Sequence, residues 1–225
     1  MNAVMALHIA GGATALVAGA IAALAPKGRA VHVAAGRVFV GGMLLLGLSA
    51  SLLDMQKVPA ESPAGGLSIV YFVLTGWAAM RARGWRTRVA EAVGGAFVFA
   101  IAVGAALEAL AMLRGELVVD GPPGPIATLV FAAICALAGG GDLRWARLRS
   151  PTATQRRRRH GTRLAVAFFM ATGAFFLGQQ DVMPLAWRGS AWWFVPAMAP
   201  WALLPVAWFV RDHRLPRAAT QLPSV

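Results

Sequence analysis

The chain has 225 residues, 58% of them hydrophobic and only 13% charged, with a mean hydropathy of +0.64 and a formal net charge of +12. A soluble domain carries about 25% charged residues, and here the apolar residues fall in long blocks, so a soluble fold is excluded. The basic residues sit in short connectors beside those blocks, where anionic headgroups are the partner, and this argues against a nucleic-acid ligand.

Seven spans are expected in chain order, at residues 3–25, 32–53, 64–80, 90–113, 125–139, 164–178 and 191–210. Positive charge follows the first span, at Lys27 and Arg29, instead of preceding it, so this span is expected to stay as a membrane helix and not to be cleaved as a signal peptide. It carries Gly11, Ala15 and Gly19 at a spacing of four, a stripe that lets another backbone approach closely. The second span has Gly36, Gly41, Gly42 and Gly47, and the fourth has Gly94, Gly95 and Gly104, all read as packing positions. The connectors KVPAESPAGG and GELVVDGPPGP are turn-rich and too short to be folded domains. The fifth span is expected to end at Gly139–Gly141, with GGGDLRWARLRS then lying on the inner leaflet as an interfacial segment. RRRRH precedes the sixth span, and Trp192 and Trp193 anchor the outer edge of the seventh, which Pro196, Pro200 and Pro205 should kink. Several uncharged stretches are shorter than the ~20 residues a crossing helix needs, and snorkelling arginines extend them. Cys135, the one cysteine, excludes an internal disulfide and a CxxCH haem attachment, and reads as a small buried hydrophobe.

Basic residues set the orientation. Connectors on one side, together with the adjoining span ends, hold 18 of the 21 lysines and arginines; the other side holds only Lys57, Arg114 and Arg188. By the positive-inside rule the rich side is cytoplasmic. The expected architecture is all-α: a seven-helix integral membrane bundle in a bacterial inner membrane, N-terminus outside and C-terminus cytoplasmic. Residues 1–213 form one transmembrane domain and 214–225 a short tail.

LHIAGGATALVAGAIAAL, KGRAVHVAAGRVFVGGM, YFVLTGWAAMR, GDLRW and RRHGTRLAVAFFMATGAFFLGQ follow one another along the chain, marked by His8, His32, Gly36, Asp142, His160 and Gln179. Together they resemble a family of bacterial multi-pass membrane proteins known as domain of unknown function 2306, and its relatives. Members of that family more often have arginine after the second histidine, where Val33 stands, and a bulky HLWRM-like run after the third, where HGTRL stands. The resemblance implies an all-helical membrane fold and supplies no activity.

Ionisable groups inside a membrane are costly and mark functional sites. Towards the outer side, His8 and Glu108 each lie about 7 Å along their helices at helical rise, and Tyr71 is seven residues into the third span. With Gln179 at the end of the sixth span, they form one candidate pocket for a ligand or a proton; the competing reading is separate contacts with headgroups, or a hydrogen bond that locks two helices. Towards the inner side, His32 and His160 stand on different helices near one level, with Asp142 and Glu91 close by. Two such histidines suit the axial positions of a b-type haem. Gly36, one turn from His32, would admit the flat macrocycle, and Arg37 or Arg163 would pair with its propionates. The competing reading is interfacial histidines on lipid phosphate. His213 reads as a solvated or interfacial tail residue. Lys27 and Lys57 both lie in connectors, which excludes a retinal Schiff base; HExxH, P-loop and GxSxG motifs are absent. Three functions stay open: haem- or quinone-linked electron transfer, binding or transport of a small molecule or proton, and an accessory role packed against a membrane-protein partner or a second copy.

Overall fold

The computed structural model describes residues 2–57, 61–81, 84–118, 124–178, 181 and 183–188. The expected seventh span, His213 and Gln179 lie outside them. Among the described residues the fold is all-helical: α1 (Ala3–Leu24), α2 (Ala30–Met55), α3 (Ala64–Ala78), α4 (Trp85–Leu113), α5 (Pro125–Arg147) and α6 (Ala153–Gly178), with a short 3-10 turn at Leu185–Trp187. Four of them, α1, α2, α4 and α5, are long and apolar enough to cross a membrane. Large apolar side chains such as Val17, Leu107, Ile126 and Leu137 point outward, the arrangement lipid favours over water.

Local chemistry sets the helix ends. The Asn2 side chain accepts from the Met5 N–H at 2.8 Å and caps α1. At its other end the Lys27 ammonium donates to the carbonyls of Ala22, Ala23 and Ala25, where terminal C=O groups lack helical partners. Pro125 occupies the first turn of α5, where its missing N–H costs nothing.

Two expectations are corrected. α5 does not end at the glycine run but continues to Arg147, so the expected interfacial segment is helix, with Asp142 and Trp145 buried on its inner face. Gly139 serves close packing instead of termination: a Cβ there would stand 2.7 Å from the carbonyl oxygen of Gly95 on α4. Likewise α6 begins at Ala153, and the arginine run lies inside it. Thr152 and Gln155 form a capping box, with Thr152 N–H to Gln155 Oε1 at 2.8 Å and Gln155 N–H to Thr152 Oγ1 at 3.2 Å.

The pairs α1–α2, α2–α3 and α4–α5 pack antiparallel. α1 meets α2 where Gly42 lies against Gly11 and Ala15, and α2 meets α3 where Gly47 faces Gly66. α3 packs on α6 and, more lightly, on α4, while α4 and α5 form a closely matched pair. Met43, Phe72, Val73, Val98, Cys135 and Ala167 make the centre of the core. With 15 residues, α3 rises about 22 Å, less than the ~30 Å hydrocarbon thickness. It is sheltered by its neighbours, and seven of those 15 residues are buried, so its polar groups meet protein instead of lipid. The antiparallel order gathers Lys27, Arg29, Arg37, Arg81, Arg86, Arg88 and the arginines from 144 to 163 at one end of the bundle, the basic end.

Candidate functional site

Near the basic end four helices meet around one carboxylate. The Gly95–Gly139 approach draws α4 onto α5, and a Cβ on Gly95 would come 2.8 Å from the Asp142 Cβ. Asp142 is fully buried. Tyr71 of α3 donates its hydroxyl to Asp142 Oδ2 at 2.5 Å. Arg159 Nη1 donates to Oδ1 at 2.6 Å, and Arg163 Nη2 donates to the same oxygen. Arg163 Nη2 also reaches the Ala138 carbonyl at 2.8 Å, and its guanidinium lies 5.4 Å from the Tyr71 ring centre and 5.3 Å from that of Phe72.

A second layer adjoins the first. Trp145 Nε1 donates to Glu91 Oε1 at 2.8 Å, and the Arg159 Cζ lies over the Trp145 ring, 4.8 Å from its centre. Removing charges from solvent is tolerable only when they are paired and hydrogen-bonded. Asp142 meets that condition with three donors. Arg159 does not: its side chain is 7% exposed, yet Nε and Nη2 have no hydrogen-bond partner among the described residues.

The two inner histidines occupy neighbouring positions at the same end. His32 Nδ1 is 2.9 Å from the Ala22 carbonyl of α1, and His160 Nδ1 is 3.0 Å from the Gly76 carbonyl of α3. A carbonyl only accepts, so each Nδ1 carries a proton, and in the neutral imidazole Nε2 is then the lone-pair nitrogen. The two rings are near enough to interact electrostatically. Both are half-buried. Gly36 has open space where a Cβ would stand, and Arg37 is exposed. Arg163, by contrast, is committed to Asp142. Arg156 continues the same face of α6, donating to the carbonyls of Ala79 and Arg81 just past the end of α3 at 2.9 and 2.5 Å.

The outer candidates serve different neighbours. His8 Nδ1 lies 3.2 Å from Ser49 Oγ, whose own proton goes to the Leu45 and Leu46 carbonyls. Tyr71 reaches towards the basic end to Asp142, so it does not join His8, and Glu108 is exposed on α4. Gln179 lies outside the described residues. Asp54 binds Lys57 at 3.1 Å, and Glu61 binds the same ammonium at 2.6 Å; those carboxylates, Glu61 foremost, hold the Lys57 pKa above its ordinary value.

Among the described residues no group of three or more His, Cys, Asp or Glu gathers as a metal site built from side chains alone would require. Position along the spans sets Tyr71 on the outer side and makes Arg159 only a topological charge. The signal that locates Arg159 is the capping box: starting α6 at residue 153 puts Arg156, Arg159, His160 and Arg163 at helical spacing on one face. No protein-family model, no curated protein and no solved structure matches the chain.

Proposed function

We propose that this chain is a seven-span bacterial inner-membrane protein, N-terminus outside and C-terminus cytoplasmic, which passes electrons through a b-type haem held by His32 and His160. It is read as a relative of the domain 2306 proteins on the ordered motifs around His8, His32, Gly36, Asp142 and His160. The carrying observation is the matched setting of the two imidazoles: each Nδ1–H is anchored on a backbone carbonyl of a neighbouring helix. Histidines that bind metals are fixed in this way, through the nitrogen that does not ligate, which orients the ring and raises its basicity. The donor set fits the group, because a haem supplies its own four equatorial nitrogens and asks the protein for axial ligands only. The space over Gly36 leaves room for a flat ring beside His32, and Arg37 is placed to pair with a propionate.

When bound, the haem would supply one-electron redox chemistry. The chain's part is to hold two neutral imidazoles in one tautomer and to shield them within the helix ends. Lys27 shares the Ala22 carbonyl that anchors His32, and Gly76, the anchor of His160, packs against Arg163 and Leu164 of α6. The test is a reduced-minus-oxidised absorption spectrum of full-length protein purified from haem-replete cells. A Soret band lost in His32→Ala and in His160→Ala, and kept in His8→Ala, is the expected result; a colourless wild-type preparation defeats the reading.

A further inference from the structure

The electron-transfer reading leaves Arg159 unexplained. This side chain is 7% exposed and is oriented by two contacts, Nη1 on Asp142 Oδ1 at 2.6 Å and Cζ 4.8 Å from the Trp145 ring centre. What remains is Nε and Nη2, both buried and both without a partner among the described residues. These two nitrogens share one edge of the guanidinium. Their N–H bonds run parallel, the fork that matches two oxygens of one phosphate or carboxylate. Leaving a buried charged donor unmade is costly, and here the two unmade donors lie side by side.

The surrounding charge favours an anion. Arg159 and Arg163 share the single carboxylate of Asp142, at an end of the bundle where cations outnumber carboxylates. Glu91, the other acidic group nearby, accepts the Trp145 indole N–H. Position points the same way: α6 runs inward from the basic end, and Arg159 is its seventh residue, about 9 Å along the axis from the first. Phosphate groups are the abundant oxyanions at that level, either on lipid headgroups or free in the adjoining water.

We infer that the Nε–Nη2 edge of Arg159 is a binding site for a phosphate oxyanion, with the Trp145 ring beside it and Asp142 fixing the guanidinium. Both sources of phosphate present the same pair of oxygens to this edge. The site stands independently of haem, and its test needs no coloured protein.

The experiment uses full-length protein in nanodiscs, with two arms. In phosphatidylcholine discs, equilibrium dialysis with labelled inorganic phosphate measures binding of the free anion. In discs containing phosphatidylglycerol, native mass spectrometry counts retained anionic lipids. Expected is one equivalent in at least one arm, weakened about tenfold by Arg159→Lys, which keeps the charge but loses the fork, and unchanged in Arg114→Gln at the opposite end. The arm that responds names the source. Should Arg159→Lys fail to fold, arginine side-chain nitrogen NMR on the unaltered protein replaces it: one Nε–H resonance should move as phosphate or phosphatidylglycerol is added. No binding in either arm, equal binding by Arg159→Lys, or unmoved Nε–H resonances overturns the site.

Discussion

Asp142→Asn separates a structural knot from an incidental cluster. The substitution preserves size and leaves one oxygen able to accept, but it removes the only charge balancing Arg159 and Arg163 on that carboxylate. Breaking a buried pair by removing one partner costs about 3–5 kcal/mol, because the stranded charge stays desolvated. Here two guanidiniums are stranded, with side chains 7% and 9% exposed, so the upper half of that range is expected. The Tyr71 hydroxyl also exchanges a charged acceptor for a neutral one. Against a typical domain stability of about 5–15 kcal/mol, such a loss is large. The chain contains its own probe: Cys135 is the only cysteine, is fully buried, and lies two turns from Asp142 on α5. In a thermal ramp with a thiol-reactive dye in detergent, labelling should begin well below the wild-type temperature. If Asp142→Asn melts within a degree or two of the exposed control Glu108→Gln, the cluster does not hold α3, α5 and α6 together and the reasoning fails.

Tyr71→Phe should be milder, about 1–2 kcal/mol: hydrogen bonds to charged groups run at 1.5–3 kcal/mol, and side-chain bonds within membranes average nearer 0.6. The same dye assay checks it, and Tyr71→Phe should add little when Asp142→Asn is already present. Gly139→Ala would force a Cβ to within 2.7 Å of the Gly95 carbonyl oxygen and should cost about 1–3 kcal/mol, whereas Gly104→Ala, with open space around it, should be neutral or slightly stabilising; melting temperatures of the pair decide. Lys57→Met should cost at most about 1 kcal/mol, since the ammonium is 49% exposed and screened. Its pKa is raised from 10.5 in the folded protein, so the pair's contribution is full below 10.5 and disappears as pH climbs through the raised value; melting curves of wild type and variant should converge there.

Much of the fold was legible because lipid imposes simple rules. Apolar blocks marked the six described helices, and glycines at spacing four on α1 marked a real contact, with Gly11 and Ala15 against Gly42. The site was less legible, because hydropathy reports where a helix enters lipid and not where it begins. α6 starts eleven residues before its uncharged stretch, and those residues carry Arg156, Arg159, His160 and Arg163. Glycine was misleading for a related reason. In water a glycine run suggests a helix end, but between packed membrane helices it marks a close approach, and Gly139 lies inside α5 against Gly95. Tyr71 was placed by counting from the outer end of α3, which ignores the direction its long side chain takes.

The arginines of α6 do two kinds of work that the charge count merges. Arg159 and Arg163 turn into the bundle and meet Asp142, and Arg156 meets the carbonyls just beyond α3. Arg156 and Arg163 find their partners within the protein and need no headgroup. The positive-inside argument does not depend on them, because Lys27, Arg29, Arg86, Arg88, Arg144, Arg147 and Arg149 gather at the same end without them. Orientation and site are therefore separable. Replacing Arg86, Arg88, Arg144 and Arg147 by glutamine should weaken the topological bias while leaving the Asp142 cluster intact, and Asp142→Asn should do the reverse. Terminal reporters scored on each side of the membrane read the first effect, and labelling of Cys135 reads the second. If Asp142→Asn inverts the termini without loosening Cys135, the inward arginines are acting as topological charges, and the partition proposed for α6 is wrong.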